Sequence, residues 1–219
     1  MKSLSEIMIF NKRICLLFAV ILFIILLTGC GYKPPEGYTK KNHTYEELVG
    51  YAKSIDPDAT VSDNPKDVEE NHRTYRIYPA VINGKDCSVA STSREIYDDS
   101  LGEFSKTYYR MDTDYDYYVI CDVLEKYPAL GTVMDDSVSN RFHVNDVISS
   151  EIDVSDISSQ KLDELFEEYR NCCLELEGFS LRKKYWLNIN INDMSYYFTE
   201  PTDEEKQKVY DKMVDDGVL

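Results

Sequence analysis

Asp112, Asp114 and Asp116 stand at alternate positions in Asp112-Thr113-Asp114-Tyr115-Asp116, the spacing with which a calcium-binding loop begins. Such a loop also needs Gly at its sixth position, for a sharp turn, and a bidentate Glu at its twelfth. Tyr117 and Val123 occupy those places. The same letters suit the start of a helix, with Thr113 as a cap and the Asp residues complementing the positive end of the helix dipole. Capping is the expectation, and no metal ligand is assigned.

Other chemistry is sparse. The sequence holds no G-x-S-x-G elbow, H-E-x-x-H pair or Gly-rich phosphate loop, the local signatures of a nucleophile, a zinc site and a phosphate cradle. Of the three His, His43 sits in a polar N-terminal stretch, and His72 and His143 have polar surroundings without ligand neighbours. No catalytic residue and no cofactor is assigned. The 18 Tyr include Tyr108-Tyr109, Tyr115, Tyr117-Tyr118 and Tyr196-Tyr197. Adjacent tyrosines cannot share one buried face, so some should lie at the surface, where an aromatic ring with a polar tip suits protein or sugar contacts.

The clearest motif is N-terminal. A leader carrying Lys2, Lys12 and Arg13 against Glu6 precedes fourteen apolar residues, Ile14 to Leu27. That run is short of the roughly 20 residues a spanning helix needs and matches the apolar segment of a secretory signal. Leu27-Thr28-Gly29-Cys30 follows at once. These four residues resemble the lipobox of bacterial membrane lipoprotein precursors. The resemblance covers residues 1–30 and implies three things: Leu27, Thr28 and Gly29 are read by the signal peptidase, the chain is cut before Cys30, and the Cys30 thiol carries a diacylglyceryl group. An uncleaved anchor is the competing reading. Two acyl chains hold a protein stably to a membrane where one is marginal.

Of the six Cys, loss of Cys15 with the signal and use of Cys30 for lipid leaves Cys87, Cys121, Cys172 and Cys173. A Cys87–Cys121 disulfide suits an oxidising compartment, but spacing cannot fix connectivity. Cys172 and Cys173 fall on the apolar stripe of a helix and read as small buried hydrophobes.

The chain divides into a signal peptide over 1–29, a lipidated N-terminus and flexible tether over 30–44, and a globular domain over 45–219. The mature chain would hold 21 basic and 39 acidic residues, a charge of −18, with −20 of it beyond residue 44. Such a body repels phosphate, which excludes nucleic acid as a partner.

The elements that position these residues follow from pattern. Thr44 and Glu47 form a capping box before the stripe Tyr45, Leu48, Val49, Ala52 and Ile55. A short extended piece near 59–62 and a polar loop to Asn71 come next. Asn83-Gly84 predicts a type I′ hairpin between 73–82 and 85–93, pairing Ala80 with Cys87 and Tyr78 with Val89. Pro79, lacking a donor, predicts an edge or a break in that ladder. The form of residues 94–111 stays open. A helix should carry Tyr117, Ile120, Cys121, Leu124 and Tyr127, and a strand should cross 141–154. The longest helix runs from about Ser159 to Glu177, with Gly178 as a left-handed C-terminal residue. Leu187, Ile189 and Ile191 alternate with Asn188, Asn190 and Asn192 in a strand that Met194–Phe198 pairs as a hairpin. A last helix opens at Thr202 and stops near Gly217. Together these predict a single α+β domain, an antiparallel sheet built from hairpins with helices packed on one side.

The functional expectation is a surface-exposed, membrane-anchored lipoprotein on the extracytoplasmic face, a non-enzymatic module binding an envelope protein or glycan. A glycan- or cation-binding accessory and an envelope hydrolase using Asp/Glu are the alternatives. A two-lobed substrate-binding protein would need more chain than the globular part supplies.

Overall fold

The computed structural model describes residues 34–71, 73–97, 105–133, 137–142 and 147–219. Leu27, Thr28, Gly29, Cys30, His72 and His143 lie outside the described residues. The chain separates into a unit at Met1–Gly37, of which Pro34–Gly37 are described, and a unit at Tyr38–Leu219.

Helix α1 (Tyr45–Ile55) starts as its letters require. The Thr44 hydroxyl accepts from the Glu47 amide, and the Glu47 carboxylate accepts from the Thr44 amide at 2.8 Å. Leu48 and Ala52 are buried, and the helix ends ahead of Pro57.

Strands β1 (Thr60–Val61), β2 (Lys66–Glu70), β3 (Arg73–Ile82), β4 (Lys85–Tyr97) and β5 (Ser105–Thr113) form the first sheet. Asn83 and Gly84 take φ of 49° and 72°, the positive values that a type I′ turn demands. Ala80 pairs with Cys87 and Tyr78 with Val89, as the turn predicts. β3 is internal rather than an edge, flanked by β4 on one side and by β1 and β2 on the other. From the closing pair Ile82–Lys85, alternation makes Pro79–Ser88 a pair that exchanges no hydrogen bonds. Pro79 therefore turns its nitrogen to the other side. There β1 stops at Ala80 and β2 resumes at Ile77, so no donor is missed. Strand β2 occupies what reads as a polar loop. Its sequence, Lys-Asp-Val-Glu-Glu, offers one apolar residue, a composition that protects an exposed edge but hides the strand. Of residues 94–111, whose form the letters leave open, 94–97 continue β4 and 105–111 lie in β5.

Helix α2 (Tyr115–Leu124), a 3₁₀ turn at Pro128–Leu130, β6 (Thr132–Val133), α3 (Val138–Phe142), β7 (Val147–Asp153), α4 (Ser159–Leu176), β8 (Lys184–Ile191), β9 (Met194–Phe198) and α5 (Asp203–Asp215) complete the order. The second sheet runs β6-β7-β8-β9. Its β7–β8 ladder is parallel and all other ladders among the described residues are antiparallel. A parallel neighbour needs a crossover, and α4 supplies it. The fold is α+β, with sheets made mostly of hairpins.

The stripe of α4 (Leu162, Leu165, Phe166, Tyr169, Cys172, Leu176) is buried throughout. It meets the inner face of the second sheet, where the Phe198 ring lies 5.2 Å from Phe166 and 5.8 Å from Tyr169. Leu187, Ile189 and Ile191 line that face, and one core joins it to residues of α1, α2, β3 and β4. Gly178 does not take the left-handed conformation expected of it. The chain leaves α4 through 3₁₀-type bonds instead, Gly178 N–H to Glu175 O and Phe179 N–H to Leu176 O. Gly217 fills that role at the end of α5, with φ of 73° and a Val218 N–H to Met213 O bond that completes a Schellman cap. Among the described residues, no helix is long and apolar enough to cross a membrane.

Gly131 links the 3₁₀ turn to β6 with φ of 76°, and a Cβ there would lie 2.6 Å from the carbonyl oxygen of Glu151. Both the conformation and the close approach require glycine. Gly131→Ala should cost at least about 2 kcal/mol, seen as a lower urea midpoint at unchanged slope.

Candidate functional site

The three aspartates of the 112–116 stretch are each 1% exposed. Their neighbours explain how three carboxylates tolerate burial, which is costly unless each is paired and hydrogen-bonded. Asp112 accepts from the Arg110 guanidinium at 2.6 Å and the Thr113 amide at 3.0 Å, with Arg182 at 3.6 Å. Asp114 precedes α2 but does not cap it. Its Oδ1 accepts from the backbone amide of Ser88 on β4. Asp116 Oδ2 accepts the amides of Arg182 and Lys183, both at 2.9 Å, from the segment that enters β8. The Thr113 hydroxyl accepts from the Tyr115 amide and donates to the Ser88 carbonyl. Thr113 thus serves the helix start as expected, while the Asp side chains tie α2 to β4 and to the strand behind it.

Burial shifts these groups. It pushes Asp112 and Asp114 up to about 6, against the opposing pull of Lys183, Arg110 and Arg141. It brings Arg182 down to about 10 and lowers Lys183, whose ammonium donates to the Arg141 carbonyl. Enclosed carboxylates already accepting amide and guanidinium hydrogens form a clamp rather than a general acid–base pair, which must reach a substrate. Among the described residues, no three His, Cys, Asp or Glu side chains are grouped to hold a metal ion.

Cys87, Cys121, Cys172 and Cys173 are free thiols. Burial raises Cys87 and Cys172 to about 12 and Cys173 to about 11, away from the thiolate that reacts. The tyrosine clusters divide. Tyr108, Tyr115, Tyr117 and Tyr196 are buried, Tyr109 and Tyr118 half-buried, and Tyr197 is 46% exposed. His43 belongs to the packed unit: its amide donates to Ser91 Oγ and its ring lies 3.5 Å from Glu47. Thr39 exchanges two backbone hydrogen bonds with Tyr109 at 2.8 and 2.9 Å.

The open polar site lies elsewhere, at the end of the second sheet. A cleft of about 540 Å³ is lined by Asp153 and Ser155 at the end of β7, Asn190 on β8, and Asn192, Asp193 and Ser195 of the β8–β9 hairpin. Asn192 and Asp193 take φ of 48° and 66°, closing a tight turn. Ser195 Oγ donates to Asn190 Oδ1 at 2.8 Å, which fixes the amide plane and leaves its NH₂ directed away from that bond. Carboxylates and carboxamides around one opening provide both acceptors and donors for a polar ligand. In the sequence these Asn residues are the alternates of an apolar set on one strand, with no role assigned. Their alternation with Leu187, Ile189 and Ile191 was the available signal. A second cleft, about 430 Å³, brings the Asn83-Gly84 turn near Tyr115 and Phe179.

No protein-family model, curated protein or solved structure matches this chain.

The acids of the clamp make stability pH-dependent. An Asp raised from 3.8 to about 6 binds more protons folded than unfolded across that window. Its contribution is therefore greatest below pH 4 and falls as pH rises through 6. Asp114→Asn keeps the acceptor for Ser88 and removes the titration. The difference in unfolding free energy between parent and variant should change by on the order of 2–3 kcal/mol between pH 3.5 and pH 7. Urea titrations across that range measure it.

Proposed function

We propose that the chain is an extracytoplasmic lipoprotein, held to the membrane through a diacylglyceryl group on Cys30, whose α+β body is a non-enzymatic binding module. The observation that carries this reading is Leu27-Thr28-Gly29-Cys30 directly ending an apolar run behind a basic leader. The disposition of the acids supports the second half. The aspartates whose proton affinity is raised, Asp112 and Asp114, are enclosed and occupied by structural hydrogen bonds, while the carboxylates at the open cleft, Asp153 and Asp193, stand among carboxamides and hydroxyls. That arrangement suits holding a polar ligand more than transferring a proton to one.

Lipidation has a structural corollary. Residues 31–37 separate Cys30 from Tyr38, where the packed unit begins. Fully extended, that linker reaches roughly 28 Å. The body would therefore work close to the bilayer surface, facing the envelope partner, protein or glycan, that lies within that distance.

Expression in a bacterial host with labelled palmitate should label the protein and place it in the membrane fraction. Cys30→Ala should abolish the label and move the protein out of that fraction. Labelling that persists in the variant, or fractionation unchanged by it, overturns the anchor.

A further inference from the structure

The packed unit begins with a strap laid on the first sheet. The Arg110 guanidinium lies over the Tyr38 ring, 5.6 Å from its centroid, Thr39 bridges to Tyr109 on β5, and the His43 amide donates to Ser91 Oγ on β4. Between these fixed points Lys40, Lys41 and Asn42 are exposed and belong to no helix or strand. Among the described residues, their three amides donate to no protein group and neither lysine ammonium has an acidic partner. One bond shapes the turn, from the Thr39 hydroxyl to the Lys41 carbonyl at 2.7 Å.

A protease takes several residues on each side of the bond it cuts in extended form, so a bond inside a helix or a paired strand is reached only through local unfolding. Beyond Cys30, every other Lys and Arg lies inside a helix or strand, save four. Each of the four is protected. Lys33 precedes Pro34, whose ring fixes φ and removes the amide hydrogen, and such a bond resists enzymes that cut after Lys or Arg. Lys126 pairs with Glu175, and the amide that follows it is held by the Leu124 carbonyl. Arg182 and Lys183 have their amides on the Asp116 carboxylate. Lys40-Lys41 is therefore the open basic pair of the body, and it stands between the lipidated residue and everything that folds.

We propose that Lys40-Lys41 is a release site, at which a serine protease of trypsin-type specificity severs the body from its lipid. The inference rests on the anchored-lipoprotein reading and names the enzyme class that ends the anchoring. Such an enzyme holds a lysine or arginine side chain in a pocket closed by a carboxylate. Its serine attacks the carbonyl carbon of Lys40 or Lys41, and the nitrogen of the next residue takes a proton and leaves as a new amino terminus. Water then hydrolyses the acyl-enzyme. One water is consumed, the anchored fragment ends in a lysine carboxylate, and the body begins at Lys41 or Asn42. The severed strap keeps only the Thr39–Tyr109 bridge, the Tyr38–Arg110 contact and the 3.3 Å approach of His43 Nε2 to Thr39 Oγ1. After the cut these few contacts act between separate molecules and lose the effective concentration that a covalent link supplies, so the body departs with its polar cleft.

The lipidated chain in phosphatidylcholine vesicles is treated with dilute trypsin at neutral pH, and intact masses are read in supernatant and pellet over time. The first product should be a fragment from Lys41 or Asn42 to Leu219, appearing in the supernatant ahead of any other cut. The double variant Lys40→Gln, Lys41→Gln should slow that release tenfold or more. Both side chains are exposed and the strap is held through Tyr38, Thr39 and His43, so the variant keeps the fold. A first cut at any other Lys or Arg beyond Cys30, a severed body that stays on the vesicles, or an unchanged rate in the double variant overturns the inference. Failure of the anchor is seen separately: an unlipidated chain takes no palmitate and lies in the supernatant before trypsin is added, while its first cut still reports on Lys40-Lys41.

Discussion

One carboxylate oxygen of Asp116 accepts the backbone amides of both Arg182 and Lys183, and much of the molecule is arranged around that pair of bonds. Asp116 sits in the first turn of α2, and the two amides lead into β8, one of the two inner strands of the second sheet. Asp114, two residues earlier, reaches back to β4 of the first sheet. A stretch of five residues thus connects both sheets. Once such a charge is enclosed, removing its partners costs more than the pair contributes, about 3–5 kcal/mol in comparable buried pairs. In this packing Ser88, Arg182 and Lys183 supply the amides that Asp114 and Asp116 accept from.

The clamp also sorts the acids of a very acidic chain. Three carboxylates are drawn inside, where Arg110, Arg141, Arg182 and Lys183 surround them. Among the described residues the other acids are partly or fully exposed, and those at the polar cleft keep company with amides instead of cations. The first group supplies architecture and the second supplies a surface able to recognise something polar. Chain composition alone merges the two into a single negative number.

Local signals in the sequence carried further than long-range ones. Thr44 with Glu47, and Asn83 with Gly84, act through atoms within a few residues, so helix α1 and the β3–β4 register were legible. The stripe of α4 was legible because a helix of eighteen residues repeats its period several times. Strand β2 was not, because an edge strand half-covered by one valine has no alternation to read. Gly178 misled for a related reason: a glycine permits the left-handed conformation but does not impose it. The roles of Asp114 and Asp116 were hidden because their partners, Ser88 and Arg182-Lys183, lie about 26 and 66 residues away. The cleft residues were hidden likewise, since alternation says which side chains point outward and nothing of what two strands assemble there.

The short bridge between Thr39 and Tyr109 covers an edge that would otherwise be bare. β5 ends the first sheet, with β4 on one side and, among the described residues, only that bridge on the other. Bare strand edges invite pairing with neighbouring molecules. A polypeptide begun at Tyr45, where the first helix starts, would lack this guard and present a clean row of amides and carbonyls to its own copies. A chain trimmed to that point would be prone to self-association, whereas one retaining Tyr38 onward keeps the edge covered at Tyr109.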